Sequence, residues 1–505
     1  MTMLSTRSLA TFSFLAITSL AATVRAQCTY SWPAAAFGSG GNDSVLALAS
    51  LGNGDLALGG RFTDANGTAA NRIARWNGTA FAALGSGMNG DVNVLLELAD
   101  GTLFAGGAFT TAGGNTVNCV ARWNGTAWSA LGVGVDALAP FGSNVQAVVQ
   151  LGNGDLVVAG NFAAVSGTPA ANIARWNGST WSALGTGING GVRALCVLPN
   201  GDVVATGSFT NAGGVTAASI ARWNGASWSA LGTGLGLFGG SALATMQNGD
   251  VVAGGSFLTA GGVACNRIAR WNGAVWSALG TGLNAVPSAL RVLPNGDLMV
   301  GGLFTTAGGG AANNIARWNG AAWSAFPAGC NGAVHEIVQD AAGAVVVSGD
   351  FTLANGGAAG RIAKIVSSCA PTGSTLGAGC VGTGGLNTLV ATKLPVVGSS
   401  FRATGTGMPP LGFVLTVTGF AATNLPLAGV LAQGQPGCTL FATPDFIDVL
   451  VPIGGTASSA IAFPNNPAIV GVGLFHQYVP MEFDFAFNIT AFTASNALAF
   501  TIGTF

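Results

Sequence analysis

The sequence contains little charge. Only 7% of its 505 residues are Asp, Glu, Lys or Arg, against about 25% in an average soluble protein. Its 17 basic residues include two Lys and are balanced by 18 acidic residues, which excludes a nucleic-acid-binding protein. Half of the chain is hydrophobic, so charge-driven disorder is excluded as well. Two His and two Tyr leave few groups for general acid–base catalysis.

The first 26 residues have the pattern of a secretory signal peptide. Arg7 provides a basic start, and the stretch from Ser8 to Val24 is uncharged and mainly apolar. Arg25-Ala26 completes a cleavage site with small residues, and the apolar stretch is short for a membrane anchor. We therefore expect a secreted protein, extracellular or at the cell surface, with no membrane span after signal removal. Export also makes disulfide bonds possible.

Internal repetition is the dominant positive feature. The motif Ile-Ala-Arg-Trp-Asn-Gly, or a close variant, recurs with spacings of 47, 53, 47, 48, 47 and 47 residues. A Phe stands 13 positions before the basic residue of the motif in all seven copies, and an Asp stands 20 positions before it in five. The basic residues are Arg75, Arg122, Arg175, Arg222, Arg270, Arg317 and Lys364.

Each repeat resolves into four short strands. In the copy around Arg175 they run from Val145 to Leu151, from Leu156 to Phe162, from Asn172 to Trp176, and from Trp181 to Leu184. Tight Asn-Gly turns separate the first two strands and the last two. Four strands in 47 to 53 residues predict one blade of a β-propeller. The predicted fold is all-β, with a seven-bladed propeller over residues 27–370.

The repeat resembles the kelch repeat in the double Gly that ends the second strand and in the aromatic residues of the third and fourth strands. Its Gly-x-Phe-Thr, Gly-Gly and Ile-Ala-Arg segments also resemble the bacterial delta-60 propeller repeat. Both resemblances imply a propeller and leave the function open. Three copies depart from the double Gly, with Ala159, Thr206 and Ser348 in its first position. The complete pairs are Gly59-Gly60, Gly106-Gly107, Gly254-Gly255 and Gly301-Gly302.

The seventh copy ends after its third strand. The segment from Tyr30 to Gly38 resembles the segment from Trp181 to Gly185, with an insertion, so the N-terminal segment is expected to supply the missing strand and close the ring. Cys28 would then precede that strand, and Cys369 would follow the strand beside it. We predict a disulfide between them, with two unpaired thiols as the alternative.

The repeated Asp and Arg are predicted to form ion pairs between the second and third strands of a blade, each worth a few tenths to about 1 kcal/mol. A ring of Ca²⁺ sites is the alternative, but one carboxylate per turn supplies too few oxygen ligands. We therefore expect neither a metal nor a cofactor. The predicted pairs are Asp55 with Arg75, Asp155 with Arg175, Asp202 with Arg222, Asp250 with Arg270, and Asp297 with Arg317.

Candidate binding residues lie on the connections between second and third strands and between successive blades. These connections are expected on one face of the propeller, and the longest runs from Gly132 to Asn144. The face is rich in Asn, Thr and Gly, which suits a neutral polar ligand such as a glycan. The candidates are Asp136, Phe141, Arg193, Phe238, Arg291, His335 and Glu336.

The preferred interpretation is a secreted, non-catalytic binding or scaffold protein, monomeric, with a glycan or a cell-surface protein as partner. One alternative is an extracellular carbohydrate-active enzyme with unidentified loop residues, and another is a structural envelope component. The copper radical oxidases, catalytic relatives of kelch architecture, combine two His, two Tyr and a Cys. Here Tyr30 belongs to the closing strand, and His476 and Tyr478 lie beyond the repeats, so we do not expect that site.

Repetition stops near Cys369. Residues 371–375 are predicted to form a linker, and residues 376–505 an antiparallel β-sandwich with strands such as Phe446 to Val451 and Phe483 to Ile489. Four segments resemble a terminal domain that recurs in secreted planctomycete proteins: Gly379-Cys380, Gly437-Cys438, Phe463-Pro-Asn-Asn-Pro467 and Ser495-Asn-Ala-Leu498. Cys380 and Cys438 are predicted to form a disulfide. The remaining cysteines, Cys119, Cys196, Cys265 and Cys330, are predicted to be buried thiols.

Overall fold

A computed structural model describes residues 29–33, 36–136, 142–236, 239–293, 296–326, 328–341, 343–368, 372–395, 400–463, 469 and 472–503. The chain divides into two compact units, one spanning Thr29–Ser368 and one containing Cys369–Phe505. The predicted signal peptide, Cys28 and Cys369 lie outside the described residues. Within the described ranges, a search for a helix with the length and apolar character of a membrane crossing finds none.

The described residues of the first unit form seven four-stranded antiparallel sheets. The inner strand of each sheet contacts the inner strand of the next, and the inner strand of the seventh contacts that of the first, so the sheets form a closed ring. Thr29–Ser31 pairs with Ile362–Ser368, with Tyr30 opposite Ser367. The N-terminal segment therefore supplies the outer strand of the seventh sheet.

The strands of the seven sheets follow one order from the inside to the outside. The inner strands are Val45–Ser50, Val92–Glu97, Asn144–Gln150, Val192–Val197, Gly240–Thr245, Pro287–Val292 and Val334–Gln339. The second strands are Leu56–Gly60, Leu103–Gly107, Leu156–Asn161, Val203–Gly207, Val251–Gly255, Leu298–Gly302 and Val345–Gly349. The third strands are Ile73–Trp76, Val120–Trp123, Ile173–Trp176, Ile220–Trp223, Ile268–Trp271, Ile315–Trp318 and Ile362–Ser368. The outer strands are Phe81–Ala83, Trp128–Ala130, Trp181–Ala183, Trp228–Ala230, Trp276–Ala278, Trp323–Ala325 and Thr29–Ser31.

A short hairpin of two-residue strands joins the second and third strands of every sheet. The seven hairpins are Asp64–Ala65 with Thr68–Ala69, Thr111–Ala112 with Asn115–Thr116, Ala164–Val165 with Thr168–Pro169, Asn211–Ala212 with Val215–Thr216, Thr259–Ala260 with Val263–Ala264, Thr306–Ala307 with Gly310–Ala311, and Leu353–Ala354 with Gly357–Ala358. Isolated bridges tie each of these hairpins to the connection that enters its sheet. Both kinds of connection therefore lie on one face of the ring.

Aromatic side chains fill the space between neighbouring sheets. The repeated Phe is buried in every copy, with Phe162 at 1% exposure. The Trp that begins an outer strand reaches the preceding sheet, where Trp181 Nε1 donates a hydrogen bond of 2.9 Å to the carbonyl oxygen of Leu131. Trp128, Trp228, Trp276 and Trp323 make the equivalent bond. These Trp residues therefore join successive sheets as well as filling the core.

The second unit contains a six-stranded and a three-stranded sheet that share a hydrophobic core. Tyr478 of the larger sheet donates a hydrogen bond of 3.1 Å to the carbonyl oxygen of Ala403 in the smaller sheet. The larger sheet comprises Thr372–Leu376, Ala497–Thr501, Gly473–Phe483, Gly412–Gly419 and Phe446–Leu450 in spatial order, with Ile489–Phe492 beside Gly473–Phe483. The smaller comprises Thr388–Lys393, Ser400–Thr406 and Thr456–Ala462. The remaining elements are the strand pairs Val381–Gly382 with Gly385–Leu386 and Ala422–Pro426 with Thr439–Ala442, and the helix Leu427–Val430.

The disulfide between Cys380 and Cys438 is present, which confirms that prediction. The linker prediction for residues 371–375 is wrong, because Thr372–Leu376 pairs with Ala497–Thr501 as an edge strand. Polar residues are compatible with an edge strand, which faces a neighbour on one side only. The strand predicted from Phe483 to Ile489 is a turn, since Asp484 Oδ1 accepts hydrogen bonds from the backbone N–H groups of Ala486 and Asn488.

Candidate functional site

The inner strand of every sheet contains a β-bulge near its start, at the second residue in six sheets and the third in the other. In the fourth sheet, the register passes from Val192 opposite Gly207 to Ala194 opposite Thr206, so Arg193 has no partner in the ladder. A bulge redirects the side chain of the extra residue and occurs often beside functional sites. The seven bulged residues are Leu46, Asn93, Gln146, Arg193, Ser241, Ser288 and His335.

A glycine in the second strand makes each bulge possible. Gly160 lies opposite Val145, and a Cβ atom built on Gly160 would lie 2.1 Å from the carbonyl oxygen of Asn144. The equivalent glycine is similarly close to a backbone oxygen in each of the other six sheets. Only the first Gly of the repeated pair varies. The second is always Gly because a side chain there would clash with the backbone of the bulged strand.

All seven bulged residues line one cavity of about 970 Å³. Residues from every inner strand contribute to its wall, so the cavity lies at the centre of the ring, and we call it the central channel. Its volume falls in the range of about 300–1,000 Å³ found for small-molecule sites. Six of the seven bulged side chains are polar, and further amide and hydroxyl groups come from Asn144, Asn161 and Ser208.

Six ionisable side chains line the channel: Arg61, Glu97, Arg193, Arg291, His335 and Glu336. Arg193 and Arg291 are exposed, and Arg193 forms no ion pair with any described residue. Burial raises the pKa of the partly exposed Glu336 to about 7, although the backbone N–H of Ile337 and the charge of Arg291 oppose this change. Glu336 is therefore partly protonated near neutral pH. Arg193 and Arg291 supply positive charge to the wall, whereas Arg61 is paired with Asp91.

His335 is held at the channel by a carboxylate. Its Nε2 lies 2.9 Å from Asp350 Oδ2, and the Ser44 hydroxyl donates a hydrogen bond of 2.6 Å to the same carboxylate. Burial tends to raise the pKa of Asp350, but the Ser44 hydrogen bond and the charges of His335 and Arg361 outweigh it and lower that pKa. The ionised carboxylate of Asp350 therefore fixes the orientation of the His335 imidazole at the channel.

At the other end of the inner strands, polar groups connect neighbouring sheets. Glu97 accepts hydrogen bonds of 2.7 and 2.9 Å from the backbone N–H of Gly52. Gln150 Oε1 accepts one of 2.8 Å from the backbone N–H of Ala99. At the bulged end, Asn93, Gln146 and Ser241 also donate hydrogen bonds within the protein, to Val145 O, Asn144 Oδ1 and Pro287 O. Their oxygens line the channel and can accept from a ligand.

The structure brings together four of the predicted binding residues: Arg193, Arg291, His335 and Glu336 all line the channel. They lie on inner strands rather than on the loops where they were expected. Asp136 lies elsewhere, where its Oδ2 accepts a hydrogen bond of 2.9 Å from the backbone N–H of Gly167. Phe141 and Phe238 lie outside the described residues.

The other bulged polar residues were not predicted from the sequence. The available signal was the second Gly of the repeated pair, which is present in all seven copies. The newly found channel residues are Asn93, Gln146, Ser241 and Ser288.

The repeated Asp and Arg form ion pairs at the ends of the second and third strands. Arg175 Nε donates a hydrogen bond of 2.6 Å to Asp155 Oδ2, and the other four sheets with the repeated Asp have the same ion pair. In the second sheet Asp100 takes the place of the missing Asp, and in the seventh Asp340 does so, 2.7 Å from Lys364 Nζ. None of these pairs lines the channel, so their role is structural.

Across the described residues, no group of three or more His, Cys, Asp or Glu side chains could hold a metal ion. The four cysteines of the first unit are buried free thiols. Burial raises the pKa of Cys119, Cys196 and Cys265 to about 11 and that of Cys330 to about 12, so all four are unreactive as nucleophiles near neutral pH.

Residues 98–125 match the model of a family described as a domain of unknown function (DUF5122) β-propeller. The matched segment begins at the end of one inner strand and includes the second and third strands of the same sheet. The chain is a β-propeller repeat protein. No curated protein matches it.

Several solved structures are similar to the chain at low identity. A catalytically inactive virginiamycin B lyase from Staphylococcus aureus with quinupristin is 13% identical over 67% of this chain and 99% of its own, with a TM-score of 0.45. An extracellular domain assigned to a hybrid two-component system of B. thetaiotaomicron is 10% identical over 96% of this chain, with a TM-score of 0.42. This chain spans 60% of that structure's length. The WD40 β-propeller domain of Doa1 is 12% identical over 68% of this chain and 97% of its own, with a TM-score of 0.30.

Proposed function

We propose that this chain is a secreted, non-catalytic binding or scaffold protein in which a seven-bladed propeller binds a glycan or another cell-surface ligand. In this proposal residues 1–26 are a signal peptide, and the second unit is an accessory β-sandwich. The ligand binds at the bulged end of the central channel. One observation carries the proposal: each of the seven inner strands contributes a bulged residue to the wall of a single cavity.

The chemistry of the channel wall suits a glycan. Asn93, Gln146 and Ser288 offer amide and hydroxyl groups that both donate and accept hydrogen bonds, as sugar hydroxyls do, and Ser241, whose proton is donated to Pro287 O, can accept one. Arg193 and Arg291 can donate charge-assisted hydrogen bonds to the carboxylate of an acidic sugar or to the hydroxyl oxygens of a neutral one. A rigid ring presents these groups in fixed positions, which lowers the entropic cost of binding.

The enzyme alternative has one specific observation in its favour, the raised pKa of Glu336. Hydrolysis of a glycosidic bond ordinarily needs two carboxyl groups on opposite sides of the bond. Glu97 is the other Glu that lines the channel, and both of its oxygens accept the backbone N–H of Gly52. Glu336 could act as an acid, but no second free carboxylate among the described channel residues could act as nucleophile or base. This favours a binding protein over an enzyme.

A glycan array on the full chain tests the proposal. We expect reproducible binding to a group of related glycans, which decreases at least tenfold in the variant Arg193→Ala/Gln146→Ala. Arg402→Ala is the matched control, because it removes an exposed arginine of the second unit and should leave the array pattern unchanged. An array with no binding would contradict the glycan proposal. Release of reducing ends from a bound glycan, abolished by Glu336→Gln, would establish the enzyme alternative.

A further inference from the structure

The second unit contains a cavity of its own, separate from the central channel. It has a volume of about 570 Å³ and opens where the edge strands Phe446–Leu450 and Thr456–Ala462 approach each other. Leu450, Ile461 and Leu474 are among the apolar side chains of its wall. The volume is that of a site for a small molecule, and the wall is mainly hydrocarbon.

A buried imidazole lies in the wall of this cavity. His476 is 1% exposed, with its Nδ1 2.7 Å from Thr418 Oγ1 and its Nε2 2.9 Å from Ser459 Oγ. Burial lowers the pKa of His476 to about 4, so the ring is neutral near pH 7. A neutral imidazole has one donor and one acceptor nitrogen, so one of the two hydroxyls accepts a hydrogen bond from the ring and the other donates one.

Both hydroxyls line the cavity, and Ser459 also hydrogen-bonds to Tyr478. Whichever tautomer is present, the hydroxyl that accepts from the ring keeps its own proton, and the other hydroxyl keeps lone pairs to accept. Ser459 is the more exposed of the two, since Thr418 is buried. A ligand group that both donates and accepts one hydrogen bond complements this site.

The only charged side chain among the described residues of the cavity wall is Asp448, which is exposed. Its Oδ1 accepts a hydrogen bond of 2.8 Å from the backbone N–H of Val449. A carboxylate or phosphate head group would be repelled by Asp448 and would meet no cation in the wall. The site therefore disfavours anionic amphiphiles.

We propose that this cavity binds an uncharged lipid-like molecule, with its hydrocarbon chain among Leu450, Ile461 and Leu474 and its hydroxyl head group at Ser459 and Thr418. This site is independent of the propeller function proposed above. A long-chain alcohol is the simplest ligand of this class. Displacement of water from the apolar wall drives binding, and the hydroxyl pair selects the head group.

Equilibrium dialysis of the full chain with radiolabelled 1-dodecanol tests this proposal, with dodecanoate at pH 7.5 as the charged comparison. We expect saturable binding of one dodecanol per chain and at least tenfold weaker binding of dodecanoate. Ser459→Ala should weaken dodecanol binding about fivefold, because one hydrogen bond of about 1 kcal/mol is lost. Thr404→Ala removes a hydroxyl of an exposed pair on the same sheet and should have no effect.

Absence of saturable dodecanol binding by the wild type would overturn the proposal, whether or not the variants fold. Equal binding of dodecanoate would overturn the assignment to uncharged ligands, and an unchanged affinity in Ser459→Ala would overturn the role of the hydroxyl pair. Circular dichroism establishes that each variant is folded before its affinity is compared. The propeller ligand gives an independent readout, since Ser459→Ala should leave glycan binding unaltered.

Discussion

Asp155 Oδ2 accepts a hydrogen bond of 2.6 Å from Arg175 Nε, across the second and third strands of one sheet. The carboxylate side chain is 9% exposed, whereas the guanidinium side chain is 43% exposed, so solvent weakens the attraction between them. Every sheet of the ring has such a pair, although two sheets take the carboxylate from a different position. The charged residues of the repeat therefore mainly stabilise the pairing of the second and third strands.

A double-mutant cycle measures this pairing. Asp155→Asn, Arg175→Gln and the double variant should give a coupling energy of about 0.5–1 kcal/mol. Denaturant unfolding followed by tryptophan fluorescence reports on the first unit, since all Trp residues precede residue 324. The cycle of Asp100 with Arg122 is the control, and its coupling should be smaller because Asp100 is more exposed. A zero coupling in both cycles would remove the structural role assigned to the repeated charges.

The glycine opposite each bulge gives a second prediction. Gly160→Ala should destabilise the first unit by about 1–3 kcal/mol, since the new Cβ would lie 2.1 Å from the carbonyl oxygen of Asn144. Ala159→Gly is the matched control at the neighbouring position and should cost about 1 kcal/mol or less. Thermal unfolding of both variants provides the comparison. Equal stability of Gly160→Ala and the wild type would show that the bulge does not depend on this glycine.

Much of the fold could be predicted from the sequence because the repeat is regular. The distance of 20 residues between Asp155 and Arg175 and the Asn-Gly turns define strand pairs, and the strand pairs define a blade. A bulge shifts the strand register by one residue but changes the pattern of apolar residues little. The face of the strand on which the Arg193 side chain lies could therefore not be predicted from the alternation of polar and apolar residues. The strand Thr372–Leu376 was missed for another reason: its partner lies more than 100 residues away, and its local composition is that of a linker.

The candidate site was predicted in part. Four channel residues were predicted as binding residues: Arg193, Arg291, His335 and Glu336. They line one cavity only because the sheets close into a ring, which brings distant parts of the sequence together. Asp100 and Asp340 could not be recognised as ion-pair partners, because each carboxylate comes from a different position of the turn, which keeps the same backbone hydrogen bonds. Whether such a carboxylate replaces the repeated Asp depends on how far its side chain extends, and the distance along the sequence does not show this.

The thiols provide a third prediction. Iodoacetamide at pH 8 should leave Cys119, Cys196, Cys265 and Cys330 unmodified in the folded chain and should modify all four after unfolding, because burial keeps them protonated. Mass spectrometry of the labelled peptides gives the result. Rapid labelling of any one of these thiols in the native chain would contradict its buried position.

The predicted disulfide between Cys28 and Cys369 is tested by mass spectrometry of a digest prepared without reduction. Recovery of Cys28 and Cys369 in separate peptides would refute it.

The buried His476 predicts a pH dependence for the second unit. The pKa of His476 falls from 6.5 to about 4 on folding, so the unfolded chain binds more protons than the folded chain between these values. The free energy of unfolding should therefore rise with pH from about 4 to 6.5, by about 3 kcal/mol from this group. His476→Gln should reduce this rise relative to the wild type.

Differential scanning calorimetry between pH 4 and 7.5 measures this dependence. The transition of the second unit is identified by its sensitivity to reduction of the Cys380–Cys438 disulfide, which is worth about 4 kcal/mol across 58 residues. The same pH slope in the wild type and His476→Gln would show that this imidazole is not the group responsible.

We propose that the bulged end of the channel is the ligand-binding surface, and the affinity of channel variants for a glycan decides this proposal. Isothermal titration of a glycan selected by the array should give a Kd that increases at least tenfold in Arg193→Ala/Arg291→Ala and stays within twofold in Arg402→Ala. If the channel variant binds that glycan with wild-type affinity, the ligand binds elsewhere and the channel is not the binding site.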